Sequence, residues 1–131
     1  MNTRGISGQD LAYFGDAVVE LLARERMIRE GIVGVGNLNR EALRYVQATA
    51  QSRALDHILP LLTEEETAAF KRGRNNHVGA IPKSATAVEY RRATGFEALF
   101  AHLWLSGEEK RARELFAIAY PSAPADDQTV N

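Results

Sequence analysis

The sequence predicts an all-α domain, and three observations carry that prediction. Apolar residues return at intervals of three and four along most of the chain. Hydroxyl–acid pairs at capping-box spacing, Ser7 with Asp10 and Thr63 with Glu66, stand just ahead of two such stretches. No segment of useful length alternates apolar and polar residues as a half-buried strand would, and no internal repeat is present.

Each element follows from local signals. Ser7 and Asp10 start a first helix near Gly8, and Leu11, Phe14, Val18, Leu21 and Leu22 carry it to about Arg29, before Gly31. Glycines at 31, 34 and 36 mark a loop, after which Asn37 reads as the N-cap of a helix bearing Leu38, Ala42, Leu43, Val46 and Ala50. The pattern continues through Leu55, Ile58 and Leu59 to Pro60, where a break or kink is expected. One bent helix or two over positions 37–62 fit equally well. Thr63 and Glu66 open a short helix ending around Arg72 and Gly73. Positions 73–83 read as a loop, long for a helix–helix connection and therefore a candidate for function. A helix over Thr86 to Leu105 carries Val88, Phe96, Leu99, Phe100, Leu103 and Trp104 and ends at Gly107. The last helix spans about Glu108 to Ala119 and is stopped by Pro121. Residues 1–120 form the expected domain, with 121–131 a disordered tail of small and polar residues.

Composition limits the function classes. A chain of 131 residues, 45% hydrophobic and 25% charged, suits one domain with one core. No apolar run approaches the roughly 18 residues that span a bilayer, and the N-terminus lacks a signal-peptide pattern. A cytoplasmic protein without membrane contact is expected. The absence of cysteine excludes disulfides, thiolate metal sites and cysteine nucleophiles. A net charge of −1 means that nucleic-acid binding must come from a local patch. Lys71, Arg72, Arg74 and Lys83, with His77 among them and no acid in between, form one.

Three features could carry chemistry. Asp16 lies in the nearly apolar stretch Leu11 to Val19, beside a mid-helix Gly15. An interior glycine costs about 1 kcal/mol relative to alanine and usually reflects close packing. A carboxylate in apolar surroundings must be paired, hydrogen-bonded or metal-bound; a solvated place beside Glu20, one turn on, is the alternative. Glu97, within Gly95 to Ala101, has the same character. It is open either to a hard cation such as Mg²⁺ or to a salt bridge with Arg24, Arg91 or Arg92. The basic stretch Lys71-Arg72-Gly73-Arg74-Asn75-Asn76-His77 suits phosphate contact, although Lys71 and Arg72 are equally at home at a helix C-terminus. His57, His77 and His102 have no metal-motif spacing, and no phosphate-cradling glycine loop or nucleophile elbow occurs.

The Gly15-Asp16-Ala17-Val18 stretch resembles the signature of the ribonuclease III endonuclease domain, and Phe96-Glu97-Ala98-Leu99 resembles its second acidic motif. The layout is closer still to the compact Mini-ribonuclease III branch, which lacks a double-stranded RNA-binding domain. The matching segments are Leu11 to Val18, Lys71 to Asn75, Pro82 to Ser84 and Tyr90 to Leu99, and the likeness covers about positions 7–119. Gln9, Ala12 and Thr94 stand where the larger family has further acids, a thinning that the compact branch shares.

The resemblance implies a ribonuclease III-like helical fold and a Mg²⁺-dependent endoribonuclease that cuts double-stranded RNA, leaving 5′-phosphate and 3′-hydroxyl ends. It implies that Asp16 and Glu97 are the catalytic, metal-binding carboxylates, and that Lys71, Arg72, Arg74, Asn75 and Lys83 bind RNA. It further implies a homodimer in which Leu11, Tyr13 and Phe14 pack across the interface, a core role being the alternative for them. Large-subunit (23S) ribosomal RNA precursor is the implied substrate, with a ribosomal protein as helper. A ribonuclease III-like protein that binds structured RNA without cutting it is the competing reading.

Overall fold

The computed structural model describes residues 1–76 and 85–122. Helix α1 (Gly8–Arg29) begins where the Ser7 hydroxyl accepts a hydrogen bond from the Asp10 backbone N–H at 3.1 Å. Its inner face carries Leu11, Val18, Val19, Leu22, Ala23 and Met27, all buried. Phe14 and Leu21, which share the apolar periodicity, point outward with Tyr13. The helix therefore has a second apolar face that this protomer leaves uncovered.

Positions 37–62 resolve into two helices. Helix α2 (Val35–Val46) starts two residues earlier than the sequence predicts, with Gly34 at its N-cap in a positive-φ conformation. The Asn37 side chain instead donates back to the Val33 carbonyl. Helix α3 (Ala48–Ile58) follows after the single extended residue Gln47. The break thus lies a dozen residues before Pro60, which sits in a 3₁₀ turn at Leu59–Leu61. Neither glycine nor proline marks the interruption. It is held by tertiary contacts: the Tyr45 carbonyl, left without a helical partner, accepts from the Gln51 amide at 3.1 Å and from the Tyr120 hydroxyl at 2.8 Å.

Helix α4 (Glu64–Arg74) opens on the expected Thr63–Glu66 capping box. Glu66 is buried and also receives Arg111 in a bidentate ion pair at 2.9 and 3.0 Å. Gly73 does not end this helix. It lies inside the last turn, where an added Cβ would meet Ala98 and the Thr94 carbonyl at 2.6 and 2.8 Å. Helix α5 (Ala87–Leu105) is capped by Thr86 and Glu89 and closes at Gly107, whose φ of 78° suits glycine. Helix α6 (Glu109–Ala119) completes the bundle.

Helix α5 is the central element, buried through Phe96, Ala98, Leu99, Phe100, Ala101 and Leu103, with α1, α3 and α4 packed around it. One core runs from Val18 to Tyr120 and includes an aromatic group of Tyr45, Phe96, Phe100, Phe116 and Tyr120. Tyr120 lies 4.9 Å from the Tyr45 ring and 4.8 Å from that of Phe116, centroid to centroid. Arg26 stacks on Phe116 and donates to the Tyr120 carbonyl, tying α1 to the end of α6. Val88, counted among the apolar residues of α5, is exposed. The tail expectation beyond position 122 lies outside the described residues.

Gly15 sets the closest helix contact. A Cβ there would collide with the backbone carbonyl of Glu97, and backbone cannot step aside as a flexible side chain can. Gly15→Ala is expected to lower stability by about 3 kcal/mol, the upper end of the usual overpacking cost, as a fall in urea midpoint at unchanged slope.

Candidate active site

The Gly15 contact brings the two sequence-predicted acids together. Because α1 lies backbone against backbone on α5 at Glu97, the next residue, Asp16, places its side chain in hydrogen-bonding reach of the Glu97 carboxyl. Asp16 is on the exposed side of α1, whereas Glu97 is largely enclosed. Both readings of Asp16 therefore hold in part: it is solvated beside Glu20, and it also faces a second acid.

The setting of Glu97 is unusual for a glutamate. Burial, followed by the charge of Asp16 and the hydrogen bond with it, pushes its pKa from an ordinary 4.5 up to about 9; Glu20 adds to the repulsion and Gln51 opposes it. None of the arginines considered as salt-bridge partners reaches it. Arg24 pairs with Glu20 at 2.9 Å, Arg92 binds Ser52 and Asp56, and Arg91 is exposed. Among the described residues Glu97 has no cation of its own. Two facing acids without a counter-charge form a site of the kind that a divalent cation relieves.

Of the positions where the larger family has further acids, Ala12 is buried, Gln9 is exposed, and Thr94 turns its hydroxyl to the Tyr90 carbonyl at 2.9 Å. Among the described residues no group of three or more His, Cys, Asp or Glu side chains is arranged to hold a metal. Sequence reasoning missed Gln51 altogether, since it is polar, neutral and from a different helix. It named Glu20 only as a neighbour of Asp16, although the i, i+4 spacing puts both on the same groove with Tyr13, Phe14, Ala17, Leu21 and Arg24.

The predicted RNA contacts divide. Lys71 and Asn75 are exposed at the end of α4, and Arg74 lies over Phe70 at 5.5 Å while donating to Asn75. Arg72 does something else. Its guanidinium donates to the Arg4 carbonyl and the buried Thr3 hydroxyl, and Thr3 is also bonded to His102 at 2.7 Å. Arg72 clasps the N-terminal segment, so it is corrected from a free phosphate ligand to a largely structural cation. Lys83 and His77 lie outside the described residues. Leu11 is corrected as well: it has no exposure, packed with Ala98 and Ala101, so it belongs to this protomer's core and not to an interface. Tyr13, 86% exposed, and Phe14, 37% exposed, remain on the surface.

The family model for the ribonuclease III domain matches residues 9–108, a span that includes both acids. The chain belongs to the ribonuclease III family of endoribonucleases, in its Mini-ribonuclease III branch. It is similar to Mini-ribonuclease 3 of Symbiobacterium thermophilum, 50% identical over 83% of this chain and 84% of that protein. Mini-ribonuclease 3 of Brevibacillus brevis is 43% identical over 84% of this chain and 82% of its own length. A crystal structure of a Fusobacterium nucleatum protein superposes with a TM-score of 0.80 at 32% identity, covering 88% of this chain and 92% of that one. The all-α, ribonuclease III-like fold expected from the sequence is the one observed.

Glu97 carries a stability signature. The folded protein retains its proton well above the pH at which the unfolded chain releases it, so in metal-free buffer this residue costs stability progressively as pH rises from about 4.5 towards about 9. Glu97→Gln is expected to leave Tm unchanged near pH 4 and to raise it by several degrees at pH 8 to 9 in the presence of a chelator, measured by calorimetry. An equal gain at both pH values would mean that the carboxyl is not held protonated.

Proposed function

We propose that the protein cleaves double-stranded RNA, with Asp16 and Glu97 as the carboxylates that hold a catalytic Mg²⁺, and that it works as a homodimer with one site per copy. The observation that carries this reading is the pair of facing acids, uncompensated by any cation among the described residues, at the backbone contact of α1 and α5. The donor set fits the ion. It is all oxygen, and two carboxylates leave the remaining positions to water and RNA phosphate, the usual arrangement for Mg²⁺. When bound, the ion would supply an acidified water for attack on the scissile phosphate and would offset charge on the departing 3′ oxygen.

The chain's own residues do the positioning. Two helices locked at Gly15 hold Asp16 and Glu97 in register, and the enclosed side of Glu97 keeps water from spreading its charge. Both cleaved ends would follow from water attack with loss of the 3′ oxygen, giving a 5′ phosphate and a 3′ hydroxyl. Lys71, Arg74 and Asn75 at the end of α4, with Lys83 beyond it, are the phosphate contacts in this reading; Arg72 supports them by fastening the helix end to the N-terminal segment. The outward face of α1, with Tyr13, Phe14 and the half-exposed Leu21, favours pairing of two copies, because an apolar strip beside a groove is costly to leave in water. Residues 1–120 then act as the whole catalytic unit. Kinship points to 23S ribosomal RNA precursor in the cytoplasm as substrate, with a ribosomal protein assisting. No helix among the described residues is long and apolar enough to cross a membrane.

Long double-stranded RNA incubated with and without Mg²⁺ tests the reading. Asp16→Asn should slow cleavage by at least about 100-fold while RNA affinity stays within a few fold. Tight binding with no Mg²⁺-dependent cutting by the unaltered protein would instead favour non-catalytic recognition of structured RNA. Binding should also weaken steeply with salt. Replacing Lys71 and Arg74 by alanine should reduce the slope of log affinity against log salt by about one for each phosphate that is no longer neutralised. An unchanged slope would remove the α4 end from the RNA interface. Arg72 is best left intact in that experiment, since its loss would loosen Thr3 and Arg4.

A further inference from the structure

The break between α2 and α3 is the feature that neither local sequence nor the proposed chemistry explains. Two amphipathic helices separated by a single extended residue, with no glycine or proline at the junction, interrupt a periodicity that could have continued. What the break creates is a free carbonyl at Tyr45, inside the protein. What occupies that carbonyl is the side-chain amide of Gln51, only 1% exposed and therefore fixed by its neighbours. The same side chain hydrogen-bonds with Glu97, on the neighbouring helix α5.

We infer that Gln51 is a positioning residue for catalysis, its buried amide tying the Glu97 carboxyl to the Tyr45 carbonyl that the α2–α3 break leaves open. The inference rests on the reading of Glu97 as a metal-holding carboxylate. An amide is suited to the task for a chemical reason. Its NH₂ group carries two hydrogens, one for the Tyr45 oxygen and one for the Glu97 carboxylate. A glutamate in its place would donate to neither when ionised and would add a third negative charge to Asp16 and Glu97. A methionine would fill the same space without either bond. Burial of the amide also makes it rigid, so that it limits the rotamers open to Glu97. A partner that orients a metal-holding side chain in this way typically accounts for a factor of about 10–100 in metal affinity or activity.

Tyr120 provides an internal control, because its hydroxyl donates to the same Tyr45 carbonyl from another direction. If Gln51 served only to hold the break, the two residues would be interchangeable in effect. The experiment compares Gln51→Met, Gln51→Asn, Tyr120→Phe and Glu97→Gln in the full chain. Each is measured for kcat and KM on double-stranded RNA, for RNA affinity without metal, for Tm, and for the rise in Tm on adding Mg²⁺ alone.

Gln51→Met is expected to lower kcat about 10- to 100-fold and to shrink the Mg²⁺-induced rise in Tm, with metal-free RNA affinity within about twofold. Tyr120→Phe should lower Tm while leaving kcat and the Mg²⁺ response as they are. Should Gln51→Met fail to fold, Gln51→Asn, which keeps the amide but draws it back by one methylene, carries the same comparison. Equal losses of kcat in the Gln51 and Tyr120 variants, or a full Mg²⁺ response in the Gln51 variants, would overturn the inference. If Glu97→Gln itself cleaves RNA and responds to Mg²⁺ normally, the reading of Glu97 is what fails, and the inference about Gln51 fails with it for that distinguishable reason.

Discussion

The approach of helix α1 to helix α5, backbone against backbone at Gly15 and Glu97, is the constraint on which the rest of the structure depends. Helices separated by ordinary side chains lie about 8–10 Å apart, and no short carboxylate on one could then reach a carboxyl on the other. Removing the side chain at Gly15 allows the carbonyl of Glu97 to occupy its place, and the neighbouring Asp16 is brought to Glu97 as a consequence. Other glycine contacts belong to the same scheme. Gly8 seats against the Arg72 carbonyl, and Gly73 and Gly95 let α4 settle on α5 beside the Phe70 ring. Helices α1, α4 and α5 are thus joined through glycine at both ends, and the proposed acidic site and the basic end of α4 are held in one rigid frame.

That frame sets an electrostatic tension. Helix packing alone would favour an apolar residue at position 97, and the fold instead encloses an acid facing another acid. The conflict is local, and the surrounding core is conventional: close-packed aliphatic and aromatic side chains, with Glu66 and Arg111 showing how the same protein treats a buried acid that is structural. Glu66 has a bidentate arginine and a capping role, and its pKa is held down despite burial. Glu97 has no arginine, and its pKa is raised. The contrast between two buried glutamates in one small domain is what separates a folding device from a site kept ready for a cation, and it supports the functional reading independently of kinship.

Legibility in the sequence varied with the range of the interactions involved. The starts of α1, α4 and α5 and the end of α5 were readable because capping and helix-ending glycine act within a few residues. The break after Val46 was not, since the bonds that stabilise it come from Gln51 and Tyr120, the latter 75 positions away. Gly73 illustrates the same limit. A glycine near the end of an apolar pattern reads as a terminator, but here it is spent on a helix crossing with α5, and the helix runs through it. Arg72 looked like its basic neighbours until Thr3 and Arg4, nearly 70 residues earlier, claimed its guanidinium.

The sequence by itself determined the all-α class, the positions of most helices, the two acids that matter and the family to which the chain belongs. Helical periodicity, caps and short motifs are local codes, and a glycine beside an aspartate in an apolar helix is visible without coordinates. Only the tertiary structure decided that these acids face one another without a cation, that Leu11 is core while Tyr13 and Phe14 are surface, and that Gln51 belongs beside Glu97. Those facts depend on which faces of separate helices meet and how closely, and that is set by packing of the whole bundle around α5, not by any stretch of sequence taken alone.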